Sequence, residues 1–222
     1  MARPENKEVP EGRTVTMATI ATNHIGRLII EAAAAADARR QVEFYLLMSK
    51  HSRFKSPAGY MLKKLFYAWF HGLSKLQDLP CSAAPSVTSG IQAISVPKKV
   101  ITIGGWNFTE SVKDDEIPFG WIPPSQAFPT VDAVVCTDQH IITIQVTISP
   151  NHDTKLGGFE DLEKNIPEEF RRNRTWYYVF VTDVSNAESL QNQKPEGLAK
   201  KQTSVYSAIL DISEAGLQKR LW

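Results

Sequence analysis

Hydrophobic and polar positions change their rhythm twice along the chain. From about Met17 to Lys50 apolar residues recur at helical spacing. Ile25, Leu28, Ile29 and Ala32 are followed by Val42, Tyr45 and Leu46, and the run Ala32–Ala36 has high helix propensity. Ser56-Pro57 predicts a second helix, with Ser56 as its cap and Pro57 as the first helical residue. Its broad apolar face is Met61, Leu62, Leu65, Phe66, Trp69 and Phe70, and it ends near Gly72 or Leu76. Residues 78–98, with Pro80, Pro85 and Pro97, read as loop with a short apolar turn at Ile91–Ile94.

Beyond that point the period becomes two. Val100, Ile101 and Ile103 begin a strand, residues 107–130 look loop-like, and Val131–Cys136 and Ile141–Ile148 are the clearest strands. A helix is expected from Phe159 to Arg172, and the unbroken apolar run Trp176–Val181 reads as a buried strand. The segment Ser204 to Ile212 fits helix or strand. Together these elements predict an α/β fold with a mixed sheet. The expected organisation is a disordered tip at 1–13, a helical arm at 14–50 and a domain at 51–222.

The chain has 222 residues, 42% of them hydrophobic, enough to bury a core without disulfide or metal staples. Cys81 and Cys136 make no disulfide framework, which favours a reducing, intracellular setting. The charged, proline-containing start MARPENKEVPEGR lacks the apolar stretch of a conventional signal peptide, and no apolar run is long enough to span a bilayer. No GxxxxGK[ST] or GxGxxG occurs, so no nucleotide-binding site is expected; no HExxH or GxSxG occurs either.

Candidate chemistry gathers on one predicted hairpin. If Asp138-Gln139 is a two-residue turn, Thr137 faces His140 and Asp132 lies across from Gln145, with Cβ atoms about 4.5–5.5 Å apart. A carboxylate and an amide oxygen at that spacing can share a hard cation such as Mg²⁺. A strand-opening Asp that satisfies loop amides is the alternative.

The string Ala127-Phe-Pro-Thr-Val-Asp-Ala-Val-Val135, then Gln145-Val-Thr147, then His152 and Lys155 before Gly157-Gly158, resembles the C-terminal domain of the Crinkler effectors of oomycetes and fungi. That domain is similar to the retrotransposon hot spot proteins of trypanosomes. Ser56-Pro-Ala-Gly-Tyr-Met-Leu62 resembles the family's first-helix motif, and the resemblance spans roughly residues 42–215.

The resemblance implies a restriction-endonuclease-like fold of the PD-(D/E)xK superfamily, with an αβββαβ core, and DNA as target in a host nucleus. It implies a metal centre at Asp132 and Gln145 with the Val146 carbonyl, and a catalytic set completed by Lys155 and His152. The family's first-helix glutamate falls on Lys63, and Thr147 stands where a lysine normally orients the attacking water. An upstream NTPase module and translocation header do not fit before the domain, so a stand-alone or truncated member is expected. Two functions follow. One is a Mg²⁺-dependent nuclease acting on phosphodiesters. The other is a degenerate pseudo-nuclease that binds DNA or a host protein and modulates cell death or immunity.

Charge sharpens the DNA expectation. The net charge is +1, yet residues 50–75 hold six Lys or Arg and no Asp or Glu, which leaves −5 on the rest. Arg53, Lys55, Lys63 and Lys64 are therefore the expected DNA contacts, on a small one-sided surface.

Overall fold

The computed structural model describes residues 38–50, 55–73, 76–85, 87, 90–102, 118–123, 131–150, 160, 162–164, 166, 168–193 and 204–211. Two helices lead, α1 (Ala38–Ser49) and α2 (Lys55–Phe70). Six strands follow: β1 (Asp78–Ala83), β2 (Ala93–Ser95), β3 (Lys99–Thr102), β4 (Phe119–Ile122), β5 (Ala133–Cys136) and β6 (His140–Val146). Then come α3 (Glu168–Arg171), β7 (Thr175–Thr182), α4 (Ala187–Gln191) and β8 (Ser204–Ile209). The strands form one curled mixed sheet in the order β2-β1-β8-β7-β6-β5-β4-β3.

Its middle is a parallel run. β6 pairs with β7 and β7 with β8, all parallel, and the alternation of side chains decides which layer each residue joins. Val135, Ile142, Ile144, Val146, Val179 and Val181 project to one face, where Leu62, Phe66, Trp69 and Phe70 of α2 and Tyr45 and Met48 of α1 cover them. Val134, Cys136 and Ile141 project to the other face, against Leu162 and Ile166; Tyr178 and Phe180 meet Leu190 of α4 there. The result is a sheet with helical cover on both faces. Tyr45 and Met48 belong to the same core as α2, so the last part of the expected arm packs into the domain. The tip at 1–13 and the arm up to residue 37 lie outside the described residues.

The clean alternation of Ile141–Ile148 is realised as read, with Ile142, Ile144 and Val146 in the α2-facing core and Ile148 packed against it. Trp176–Val181 falls within β7, a strand bonded on both sides. Ser204–Ile209 is a strand, which resolves the open choice.

Several expectations are corrected. Residues 78–98 hold β1 and β2, which pair with each other, and β1 also pairs with β8. The sequence Asp-Leu-Pro-Cys-Ser-Ala is a poor strand by propensity; pairing with β2 nearby and with β8 from far along the chain overrides that preference. β4 lies inside the expected loop 107–130, parallel to β3 and antiparallel to β5, so the core has eight strands rather than four. α4 is unexpected; five residues are too few to show a period. Between 159 and 172, residues 160 and 162–164 are helical, residue 166 lies in a bend, and α3 follows. Ser56 lies inside α2 rather than capping it.

The far end of α2 stops as predicted. Gly72 has φ +70°, its N–H bonds the Trp69 carbonyl at 2.8 Å, and the Leu73 N–H reaches back to Ala68 at 2.9 Å. That pair of bonds is a Schellman cap, which requires the left-handed conformation glycine adopts without strain.

Close packing of α2 on the sheet yields a paired test. A Cβ on Gly120 would sit 2.5 Å from Cζ of the fully buried Phe70, whereas one on Gly59 meets only Ile148 at 3.8 Å. Gly120→Ala is expected to lose about 1–3 kcal/mol in urea unfolding. Gly59→Ala, in the helix, is expected to be neutral or to gain up to about 1 kcal/mol.

Candidate functional site

The β5–β6 hairpin closes through Asp138-Gln139. The Thr137 N–H donates to the His140 carbonyl at 2.9 Å, and the His140 N–H donates to Thr137 Oγ1 at 2.9 Å. The ladder then pairs Cys136 with Ile141 and Ala133 with Ile144, the register read from the sequence, and ends there. Asp132 lies just beyond it and meets Gln145 through their side chains.

Asp132 stands just ahead of β5, with its backbone N–H on the Ile144 carbonyl at 2.8 Å. Its carboxylate is 12% exposed and fully engaged. Oδ2 accepts from Gln145 Nε2 at 2.9 Å and from the backbone N–H of Val146 at 2.8 Å. Oδ1 meets the ammonium of Lys63 at 2.7 Å. Lys63 arrives from the middle of α2. One turn further along that helix, Tyr67 donates to the Asp132 carbonyl at 3.4 Å, because positions four apart share a helical face. Burial, with the Asp132 charge second, pushes the Tyr67 hydroxyl up to about 12, so it stays a donor at neutral pH. The hydroxyl of the buried Tyr178 is raised for the same two reasons.

Gln145 is 3% exposed and its amide nitrogen serves Asp132. Its Oε1 is buried with no hydrogen-bond partner among the described residues. The Thr147 hydroxyl accepts from the Ser149 N–H at 3.0 Å, so it closes a local turn at the position where the family's lysine would stand.

A Mg²⁺ ion does not fit this arrangement. Mg²⁺ requires oxygen ligands at about 2.0–2.1 Å in near-octahedral order. Here one carboxylate oxygen is covered by two N–H donors and the other by a cation. The ion pair leaves the site neutral, and Gln145 presents nitrogen, not oxygen, to Asp132. Among the described residues, no group of three or more His, Cys, Asp or Glu side chains gathers anywhere.

The other expected residues divide. Lys64 is exposed on α2, next to Lys63, and Lys55 opens the same helix. Lys63, expected as a DNA contact, pairs with Asp132 while its side chain is 38% exposed. Arg53, His152 and Lys155 lie outside the described residues. The role of Lys63 and Tyr67 went unread, though a lysine at the position of a motif glutamate was a signal of altered charge.

A separate open cavity of about 620 Å³ lies where α1, β7 and β8 end, lined by Tyr45, Leu46, Lys50, Asp183, Val184 and Asp211 among others. The Asp183 carboxylate is spoken for by Tyr45, Ser185 and Asn186 at 3.0, 2.6 and 3.0 Å, so it fastens α1 to the β7–α4 turn.

No family model matches this chain, and no curated protein or solved structure does.

Two outcomes test the site's construction. Asp132→Ala strands the Val146 N–H, the Gln145 amide and the Lys63 ammonium, and is expected to cost about 2–4 kcal/mol in urea unfolding. Asp132→Asn keeps an acceptor and should cost less; equal losses would contradict this hydrogen-bonding scheme. Burial raises the Cys136 thiol from 9.0 to about 12, with Arg174 opposing. A folded pKa above the unfolded one stabilises the protein below the unfolded value, and that contribution fades as pH rises from about 9 toward 12. Native Cys136 should therefore resist alkylation at pH 8 and react at once when unfolded.

Proposed function

We propose that this chain is a nuclease-like domain that engages DNA without hydrolysing it. The carrying observation is the Lys63 ammonium on Asp132 Oδ1 at 2.7 Å, in the place where a nuclease of this type would hold its metal. The restriction-endonuclease-like reading is supported by the connection of β4, β5 and β6 as an antiparallel meander, followed by a helical crossover to the parallel β7. It is supported again by Asp132 and Gln145 meeting at the end of the hairpin.

DNA as target is supported by the sequence resemblance to Crinkler effectors and by the cationic segment 50–75, on which Lys64 is exposed. On this reading the protein acts in a host nucleus as an effector, by occupying DNA. The carboxylate that would otherwise repel phosphate is neutralised by Lys63. The same ammonium keeps further N–H donors beyond the one spent on Asp132.

Incubation with supercoiled plasmid and Mg²⁺ should leave the plasmid intact, while a gel-shift titration shows salt-sensitive binding. Lys64→Glu should weaken that binding and reduce the slope of log affinity against log salt by about 1. Mg²⁺-dependent cutting that disappears in Asp132→Ala would restore the enzyme reading. Neither cutting nor binding would point to a host protein as partner.

A further inference from the structure

The geometry points to the cavity where α1, β7 and β8 end as a binding site for a small apolar amino acid, with Asp183 taking its ammonium and Lys50 its carboxylate. The volume, about 620 Å³, suits a small molecule. Its place is where the parallel strands of α/β sheets commonly seat ligands, beyond their carboxyl ends. β7 and β8 run parallel, and Asp183, Val184 and Leu210 follow directly from them to line the cavity. α1 supplies Tyr45 and Leu46 to the lining, and Lys50 stands just past its last residue.

Two charges define the ligand. Oδ1 of Asp183 accepts from Ser185 at 2.6 Å and Asn186 at 3.0 Å, whereas Oδ2 accepts only from the Tyr45 hydroxyl at 3.0 Å. Burial first, then the Asp183 charge, raise that hydroxyl above its ordinary range, so it stays a donor at neutral pH. An ionised carboxylate offers about four acceptor sites, which leaves Oδ2 room for one more donor. All three present donors are neutral, and among the described residues no Lys or Arg pairs with Asp183. Lys50 is exposed and likewise has no ion-pair partner there.

Thus an anion and a cation line one cavity without joining each other. A bare amine would be repelled by Lys50 and a bare carboxylate by Asp183; a molecule carrying both groups is matched at each. Asp211, also in the lining, adds to the field that favours an ammonium. The flexible four-carbon stem of Lys50 lets its charge follow a ligand carboxylate. Leu46 and Val184, 45% and 76% exposed, leave apolar surface that a bound aliphatic or aromatic side chain would cover.

L-Phenylalanine serves as the probe, beside phenethylamine, which lacks the carboxylate, and 3-phenylpropionate, which lacks the ammonium. Backbone amide shifts in the full chain would report binding. Phenylalanine should move the amides of Tyr45, Val184 and Leu210, and each analogue should bind at least about tenfold more weakly. Asp183→Asn keeps an acceptor for Tyr45; it should weaken phenylalanine by a similar factor and leave 3-phenylpropionate unchanged or tighter. Lys50→Met should weaken phenylalanine and leave phenethylamine unchanged or tighter. A purely structural role for either residue would weaken all three probes together.

Should Asp183→Asn fail to fold, Val184→Arg carries the test, because that exposed position accepts a long side chain that fills the cavity. Phenylalanine binding should then vanish with Tm unchanged. A wild-type Kd for phenylalanine weaker than about 10 mM overturns the inference. So does equal affinity for the three probes, uniform weakening in the charge variants, or binding that survives Val184→Arg. None of these outcomes depends on DNA binding, so this site and the proposed function stand or fall separately.

Discussion

The carboxylate of Asp132 takes three donors, one of them remote in sequence. It holds the ammonium of Lys63 from α2, the side-chain amide of Gln145 from β6, and the main-chain N–H of Val146 at the end of β6. Each bond constrains a different freedom. The Val146 bond pins the open end of the β5–β6 hairpin, opposite its turn. The Gln145 bond fixes an amide that would otherwise be a buried donor without an acceptor. The Lys63 bond sets α2 along its length against the sheet, where the aromatic packing alone is less directional. A mostly buried carboxylate is costly unless its charge is matched, and here the match comes from within the chain.

That matching governs the functional reading. A nuclease of the expected class keeps its carboxylate charge uncompensated so that a metal, and through it a phosphate, can be drawn in. Here the aspartate is present at the hairpin end, yet its charge is already met. What remains at the surface is a neutral pair, with Lys64 exposed on the same helix. The parallel run β6-β7-β8 supports this end of the molecule. The Thr147 N–H bonds the Val181 carbonyl and the Leu210 N–H bonds the Thr182 carbonyl, so the ends of the three strands stay registered.

Legibility from sequence followed the reach of the forces involved. The β5–β6 register was readable because turn length and strict alternation are local, and together they fix which residues face each other. β7 was readable because a strand covered on both faces must be apolar throughout. β1 and β4 were not, since Asp-Leu-Pro-Cys-Ser-Ala and Phe-Gly-Trp-Ile become strands only through neighbours contributed from elsewhere. At the site, Asp132 and Gln145 were found by register, but the partner they acquired was not. Lys63 lies 69 residues before Asp132, and only the packing of α2 brings the two within 2.7 Å. Expected at the surface as a DNA contact, Lys63 is 38% exposed and also balances the charge of Asp132.

Lys63 and Asp132 must act as one unit if the ammonium is the site's resident cation, and a double-mutant cycle measures that directly. Unfolding free energies would be obtained for the wild type, Lys63→Met, Asp132→Asn and the double variant. The two changes should be non-additive by about 1–3 kcal/mol, with the double variant losing clearly less than the sum of the singles. Additivity to within about 0.5 kcal/mol would mean the two charges do not sense each other, and the reading of Lys63 as the resident cation would fail.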